Sequence, residues 1–530
     1  MITRRNLLLS AAALAATSPL GAGVAWAEGA TLRFGPQLDP GTLDTLTNVY
    51  DYPYPPFSTL YEGLTSYMPG SEWKPVNRLA ETLELSADGK TINFKLKEGI
   101  QFHRGFGELT AEDVKYSFDR ATGKVKLYPD AAEGDVSYYG GDFGSYKEVQ
   151  VTGKYTGVIV FEKPFAPMLR LTLPYATSGL IVSKKAMEAL GKAGWLKAPV
   201  GTGPYEVVSY TPNKELIMKR FAEYGGAAGQ DAKSWPWDEI KVSLVNSSSA
   251  PTGAALTAGV ESGDFDFTYN ASPLDALRLQ NNPAVRAYIV QQPMSYNFLQ
   301  LNVLHPKLEN PKVREAIRYL VDVPALIQAQ DLDVATRLNA LIAPQMGVGY
   351  WPEAPVYERD VEKAKALLAE AGVSALELDL STPAGGQATA ATVMQVIQAN
   401  LAEGGIKVNV LLTPPDTYIK DKAVGQLSWS NYGGAPDPFY QFEWFTCDQF
   451  AQWNWAFACN ADYDKLHEQL AAERDEAKRT EIAIRMQKLM DASLGYIWVN
   501  YQVGCAVTAA NIEAAFDPNG NPYLQYFKKV

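Results

Sequence analysis

Apolar and polar positions alternate with a period of two at Leu83 and Leu85, and again at Ile92, Phe94 and Leu96, with Asp88-Gly89 between them. Successive side chains of a strand point to opposite faces, so this pattern predicts a half-buried hairpin closed by a tight turn. The period then changes. Thr110 stands three residues before Asp113 and opens a stretch in which Val114 and Phe118 share a face, which predicts a capped helix. Further strands are expected at Val158–Phe161, Tyr205–Tyr210, Glu215–Lys219 and Ile240–Val245.

From about residue 296 the pattern becomes one of helix and strand in turn. Asn310 is placed to cap a helix with Pro311 at its first position and Val313, Ile317, Leu320 and Val321 along its stripe. Asp360 caps another, burying Ala364, Leu367, Leu368 and Ala371 and ending at Gly372. A third, around Val393, Val396, Ile397 and Leu401, stops at Gly404-Gly405 and leads into the alternation of Ile406, Val408, Val410 and Leu412. Asp462 to Ser493 reads as helical, with Tyr463, Leu466, Leu470, Ile482, Met486 and Leu489 on one face. Such alternation predicts an α/β fold with at least part of its sheet parallel. No long flexible linker divides the chain, so its domains are expected to share crossing segments, as in a hinge.

The N-terminus follows none of these rules. Arg4 and Arg5 precede the apolar run Leu7–Ala16, and Ala25-Trp26-Ala27 is a small-x-small cleavage site, so residues 1–27 read as an export signal. Thr3-Arg4-Arg5-Asn6-Leu7-Leu8 also resembles a twin-arginine motif, and both export routes stay open. No later apolar run has spanning length, so a mature protein in the bacterial periplasm is expected. In an oxidising compartment Cys447 and Cys459, twelve residues apart, read as a local disulfide, and Cys505 as a buried free thiol.

The chain has 530 residues and a formal charge of −12, with three His and three Cys. The length allows two to four domains. The acidic balance argues against a nucleic-acid partner, and the scattered His103, His305 and His467 read as structural or exposed, so no resident metal or cofactor is expected. There is no Gly-x-Ser-x-Gly elbow and no His-Glu-x-x-His; Gly201-Thr202-Gly203 lacks the third Gly of a dinucleotide fingerprint and precedes a strand. Aromatic residues are plentiful instead. Tyr50, Tyr52, Tyr54, Phe57 and Tyr61 form one group, and Trp429 to Phe457 carries eleven rings interleaved with Gly433, Gly434, Pro436 and Pro438. Rings on irregular backbone give contact area for a ligand at low entropy cost, although about half of such rings are core.

Several stretches resemble the extracytoplasmic solute-binding proteins of the peptide/nickel type that serve ABC importers. They are Leu85-Ser86-Ala87-Asp88-Gly89-Lys90-Thr91, Phe94 to His103, Leu109 to Ser117, Pro199 to Tyr205, Ser262 to Asp266 and Asn310 to Ile317. The resemblance implies a periplasmic-binding-protein type II-like α/β fold: two lobes, a hinge, and an extra subdomain in the first lobe. It divides the chain into 28–71 and 197–283 (lobe I), 72–196 (inserted subdomain), 284–494 (lobe II) and 495–530 (return to lobe I). It also implies a monomer that closes on a solute, a peptide first and an opine, oligosaccharide or other solute as alternatives, and then docks on an ABC permease. A secreted hydrolase is the rival class. Many peptide-binding members hold the peptide's ammonium with an Asp in a Trp-x-x-Asp-Tyr type motif; here Asn431 occupies that place in Trp429-Ser430-Asn431-Tyr432, and Asp437 follows. Tyr52, Trp429, Asn431, Tyr432 and Asp437 are therefore the candidate ligand-binding residues.

Overall fold

Two long antiparallel strands, Val285–Leu301 and Tyr496–Ala509, run through the middle of a ten-stranded sheet. The structure is a computed structural model that describes residues 30–48, 55–225, 235–246, 253–383, 389–413, 425–450 and 452–530. On one side of the pair lie Tyr205–Thr211, Glu215–Arg220, Glu239–Val245, Thr31–Leu38 and Phe267–Thr268; on the other, Leu427–Gly433, Leu376–Pro383 and Ile406–Thr413. Thr31–Leu38 pairs parallel with Glu239–Val245, and Leu376–Pro383 pairs parallel with Ile406–Thr413. Both sides of the crossing pair are thus α/β units with parallel neighbours, and they form the two lobes.

The crossing pair changes register at its centre. Gln292 lies opposite Gln502, but the next pair is Tyr296 with Tyr501, so Pro293, Met294 and Ser295 bulge from one strand only. A bulge bends the strand that carries it, and Pro293 has no N–H to lose there. The N–H of Met294 is satisfied from outside the ladder, by Asn519 Oδ1 at 3.2 Å. The hinge is therefore a bent two-stranded ribbon braced by the C-terminal segment.

A separate four-stranded antiparallel sheet, in the order Ala80–Leu85, Thr91–Leu96, Thr156–Phe161, Tyr146–Val151, contains the hairpin read from the alternation. Gly89 holds φ +72° in its turn. Thr110 and Asp113 form the expected capping box on helix Ala111–Ala121. Asn310 and Asp360 cap their helices as expected. The Gly201-Thr202-Gly203 motif serves close packing: a Cβ on Gly201 would lie 2.1 Å from Leu60 O, and one on Gly203 2.3 Å from Thr59 O.

The Asp462–Ser493 stretch differs from expectation. It is two helices, Ala461–Ala472 and Glu476–Ser493, broken because Glu473 turns extended and Asp475 caps the second helix by accepting from Lys478 N. His467, read as lying on a solvated helix, stacks on Phe439 with ring centroids 4.2 Å apart and bonds the Phe439 carbonyl, so it is largely enclosed. The two units also touch away from the hinge. Phe165 meets the edge of Phe439 at 5.8 Å, Arg170 pairs with Glu476 at 3.0 Å, and Arg474 donates to Ser86 O at 2.9 Å.

Cys447 and Cys459 form a disulfide and Cys505 is a buried free thiol, both as read from the sequence. A cross-link closing so short a loop is worth about 3 kcal/mol. The Cys447→Ser/Cys459→Ser double variant should unfold at correspondingly lower urea; an unchanged midpoint would mean the bond adds no stability. No helix among the described residues is long and apolar enough to cross a membrane.

Candidate ligand cleft

The strands of both lobes aim their carboxyl ends at the middle of the crossing pair. Phe267–Thr268 runs toward the Asn270–Cys505 bridge, and Leu427–Gly433 ends opposite Ser295. In open α/β sheets ligands bind beyond the carboxyl ends of the strands, where the connectivity switches sides. The side chains there are mostly amides. From the first lobe, Asn270 Nδ2 donates to Gln37 Oε1 at 3.3 Å and Tyr269 OH accepts from Gln292 Nε2 at 2.7 Å.

In the second lobe Asn431, Asn297 and Asn500 stand in register across three adjacent strands. Gln502 Nε2 donates to Asn297 Oδ1 at 3.4 Å, Asn297 Nδ2 to Asn500 Oδ1 at 3.3 Å, and Asn500 Nδ2 to Asp331 Oδ2 at 2.8 Å. Asn297 and Asn500 are fully buried, whereas Asn431 is exposed. Burying amides is tolerable only because each is satisfied by the next.

The opposite face of the same strands carries an aromatic cluster. Phe298 lies 4.9 Å from Tyr432, Tyr496 stacks on Trp498 at 5.5 Å, and Trp444 meets Trp453 at 4.8 Å. Most rings from Tyr432 to Phe445 are thus gathered in one place, much of them as core.

Two carboxyls near the hinge are held above the usual range. Burial pushes Asp331 up to about 6, against the opposing hydrogen bond from Asn500. Burial also pushes Asp517 up to about 6, although it accepts from the Asn519 and Asn521 N–H groups and from Asn521 Nδ2. A carboxyl raised on folding binds its proton in the folded state first, so its stabilising effect is present at low pH and is lost as pH rises through about 6. His103, buried and lowered to about 4, acts in the opposite direction over the same range. The clean readout is therefore a difference. Asp331→Asn should raise the melting temperature relative to wild type more at pH 7.5 than at pH 4.5; an equal shift at both would show that this carboxyl does not titrate there.

The candidates from the sequence separate in space. Tyr52 lies outside the described residues, as does the 1–27 segment. Trp429 is 3% exposed, opposite Leu299 and inside the lobe II core with Ile317, Met394 and Ile497. Asp437 is fully buried, caps helix Pro438–Glu443 and pairs with Arg479, so its carboxylate is committed within the protein. Tyr432 is buried in the aromatic cluster, its OH accepting from Gln300 Nε2 at 3.0 Å. Asn431 is the one of the four that presents an exposed side chain. Sequence reading missed Asp331, Asn297 and Asn500. The last two were detectable as amides inside the otherwise apolar runs Tyr296–Leu299 and Trp498–Tyr501.

The family model of the bacterial extracellular solute-binding proteins, family 5 (Middle), matches residues 74–452. The chain belongs to this family. Among curated relatives of this solute-binding protein, the dipeptide-binding protein of Escherichia coli K12 is 28% identical over 491 residues, covering 87% of this chain and 86% of the relative. The glutathione-binding protein GsiB of Shigella flexneri serotype 5b is 27% identical over 444 residues, covering 80% of each chain. The fold matches that of HbpA2 from Haemophilus parasuis with a TM-score of 0.80 at 21% identity, over 94% of this chain and 100% of that one. The two-lobed α/β fold of a periplasmic binding protein is therefore established, and family 5 members are the solute-binding components of ABC importers.

Proposed function

We propose that the protein captures a small peptide between its lobes and delivers it, unchanged, to an ABC permease at the inner membrane. Family membership carries this reading, and relatives named for binding a dipeptide and glutathione favour a peptide over other solutes. A hinge with an amide-lined floor suits it, because a solute touching both lobes favours the closed arrangement by its differential affinity. Asn431 is the proposed ligand neighbour on the second lobe, with Tyr52 on the first.

One observation favours a second reading, a non-peptide solute such as an opine or oligosaccharide. Asn431 carries an amide where many peptide-binding members carry a carboxylate, and Asp437 is engaged by Arg479. The protein is proposed to act as a monomer, exported with cleavage after Ala27, with the lobe limits given above and no catalytic role. A thermal-shift screen of the mature protein against peptides, opines, sugars and metals tests the reading. A ligand at 100 times its Kd should add about 2.7 kcal/mol of stability and be recovered intact. If no solute stabilised the protein and a hydrolase substrate were consumed, the binding reading would fail.

A further inference from the structure

Most of the buried carboxylates among the described residues are met by a cation or by backbone N–H groups. Asp44 pairs with Arg120, Glu62 with Arg78 and Asp437 with Arg479. Asp113 and Asp517 accept backbone N–H groups. Asp331, 8% exposed at the end of helix Val323–Asp331, has neither. Its side chain accepts one hydrogen bond, from Asn500 Nδ2, and pairs with no Lys, Arg or His among the described residues. An enclosed charge with a single neutral donor is costly unless a cation arrives to meet it.

Its place in the fold says where that cation would come from. On the outer edge of the strand Tyr496–Ala509, residues 499–501 are covered by Thr336–Leu338 of the second lobe. Cys505 is covered by Asn270 and Ala271 of the first. Gln502, Val503 and Gly504 lie between these two contacts, at the junction of the lobes. Asp331 and Asn500 bound this junction from one side, Asn270 and Gln37 from the other. Burial, and after it the charge of Asp331, holds the Cys505 thiol above its usual range.

We propose that Asp331 is the anionic anchor for an ammonium or guanidinium group of the solute, which enters between the lobes beside Gln502. The inference rests on the solute-binding reading and names the chemistry of the ligand. The amides of Asn500, Gln502 and Asn270 take the polar atoms next to the cation, and Asn431, exposed at the end of its row, is freed from having to supply charge.

Titration calorimetry on the mature protein tests this with four probes: Ala-Ala-Ala, its N-acetylated form, N-acetyl-Ala-Lys-Ala and N-acetyl-Ala-Arg-Ala. The wild type should bind at least one cationic probe tenfold or more tighter than N-acetyl-Ala-Ala-Ala. The first probe reports an α-ammonium and the last two a side-chain cation. In Asp331→Asn, which still accepts from Asn500, that preference should collapse to within about twofold. A merely structural role would change stability and leave the ratio untouched, which overturns the proposal. So does a wild type indifferent to charge, or one that binds no cationic probe. If that wild type bound a neutral or anionic solute, the importer reading would survive the loss of this one.

Discussion

Arg479→Met should lower the stability of the folded protein by about 3–5 kcal/mol, the usual effect of removing one partner of a buried ion pair. Arg479 is enclosed and does three things at once. It donates to Leu470 O at 2.9 Å and Glu473 O at 3.0 Å, closing the end of helix Ala461–Ala472, and it meets the carboxylate of Asp437. Asp437 in turn accepts from Phe439 N at 2.9 Å to start helix Pro438–Glu443. Methionine fills much of the volume but leaves Asp437 charged, buried and without a cation. Urea unfolding gives the size of the effect. The double variant Arg479→Met/Asp437→Asn should recover part of it, since the stranded charge is gone. A single variant as stable as wild type would show that Asp437 finds another partner, and its place as a ligand group would reopen.

Trp429→Ala should cost about 3–5 kcal/mol for a different reason, the cavity left by a large ring in a packed core. Trp429 shares its sheet face with Leu299 and Ile497 and is covered by the helices that carry Ile317 and Met394. The sequence places Trp429 and Asn431 two residues apart and hence on one face, which is correct. Along that face, however, the surroundings pass from core to opening within a single pair of residues. The variant should therefore melt earlier while keeping most of its solute affinity. A large loss of affinity with little loss of stability would put the ring in the cleft.

These two residues show what was legible in advance. Local signals carried through well. The Asp88-Gly89 turn, the Thr110–Asp113 box and the caps at Asn310 and Asp360 each depend on a few neighbouring residues, and each is present. The family resemblance supplied the two-lobed fold. What local pattern could not supply was the pairing of strands some 200 residues apart, which decides that Asn297 and Asn500 share a row. It also gave no reason to notice Asp331. Its isolation becomes visible only when its burial and its single hydrogen bond are known. The break at Glu473 was hidden for a similar reason, because the apolar stripe continues across it and only the cap at Asp475 marks the restart.

The contacts of Phe165, Arg170 and Ser86 with the second lobe are made between protein groups alone. Whatever they contribute to the touching arrangement is contributed equally to empty and filled molecules. A ligand can move a two-state balance only by its preference for one state, and each 1.4 kcal/mol already spent by the chain takes a factor of ten from that contrast. Glu476 keeps 67% of its side chain in water, where ion pairs are worth little. The clasp is thus set loosely, and in a proposed importer component that looseness is a fidelity device. Empty receptors that imitate full ones would occupy the membrane partner to no purpose, and tightening Arg170–Glu476 by burial would make the protein a better lid and a worse messenger.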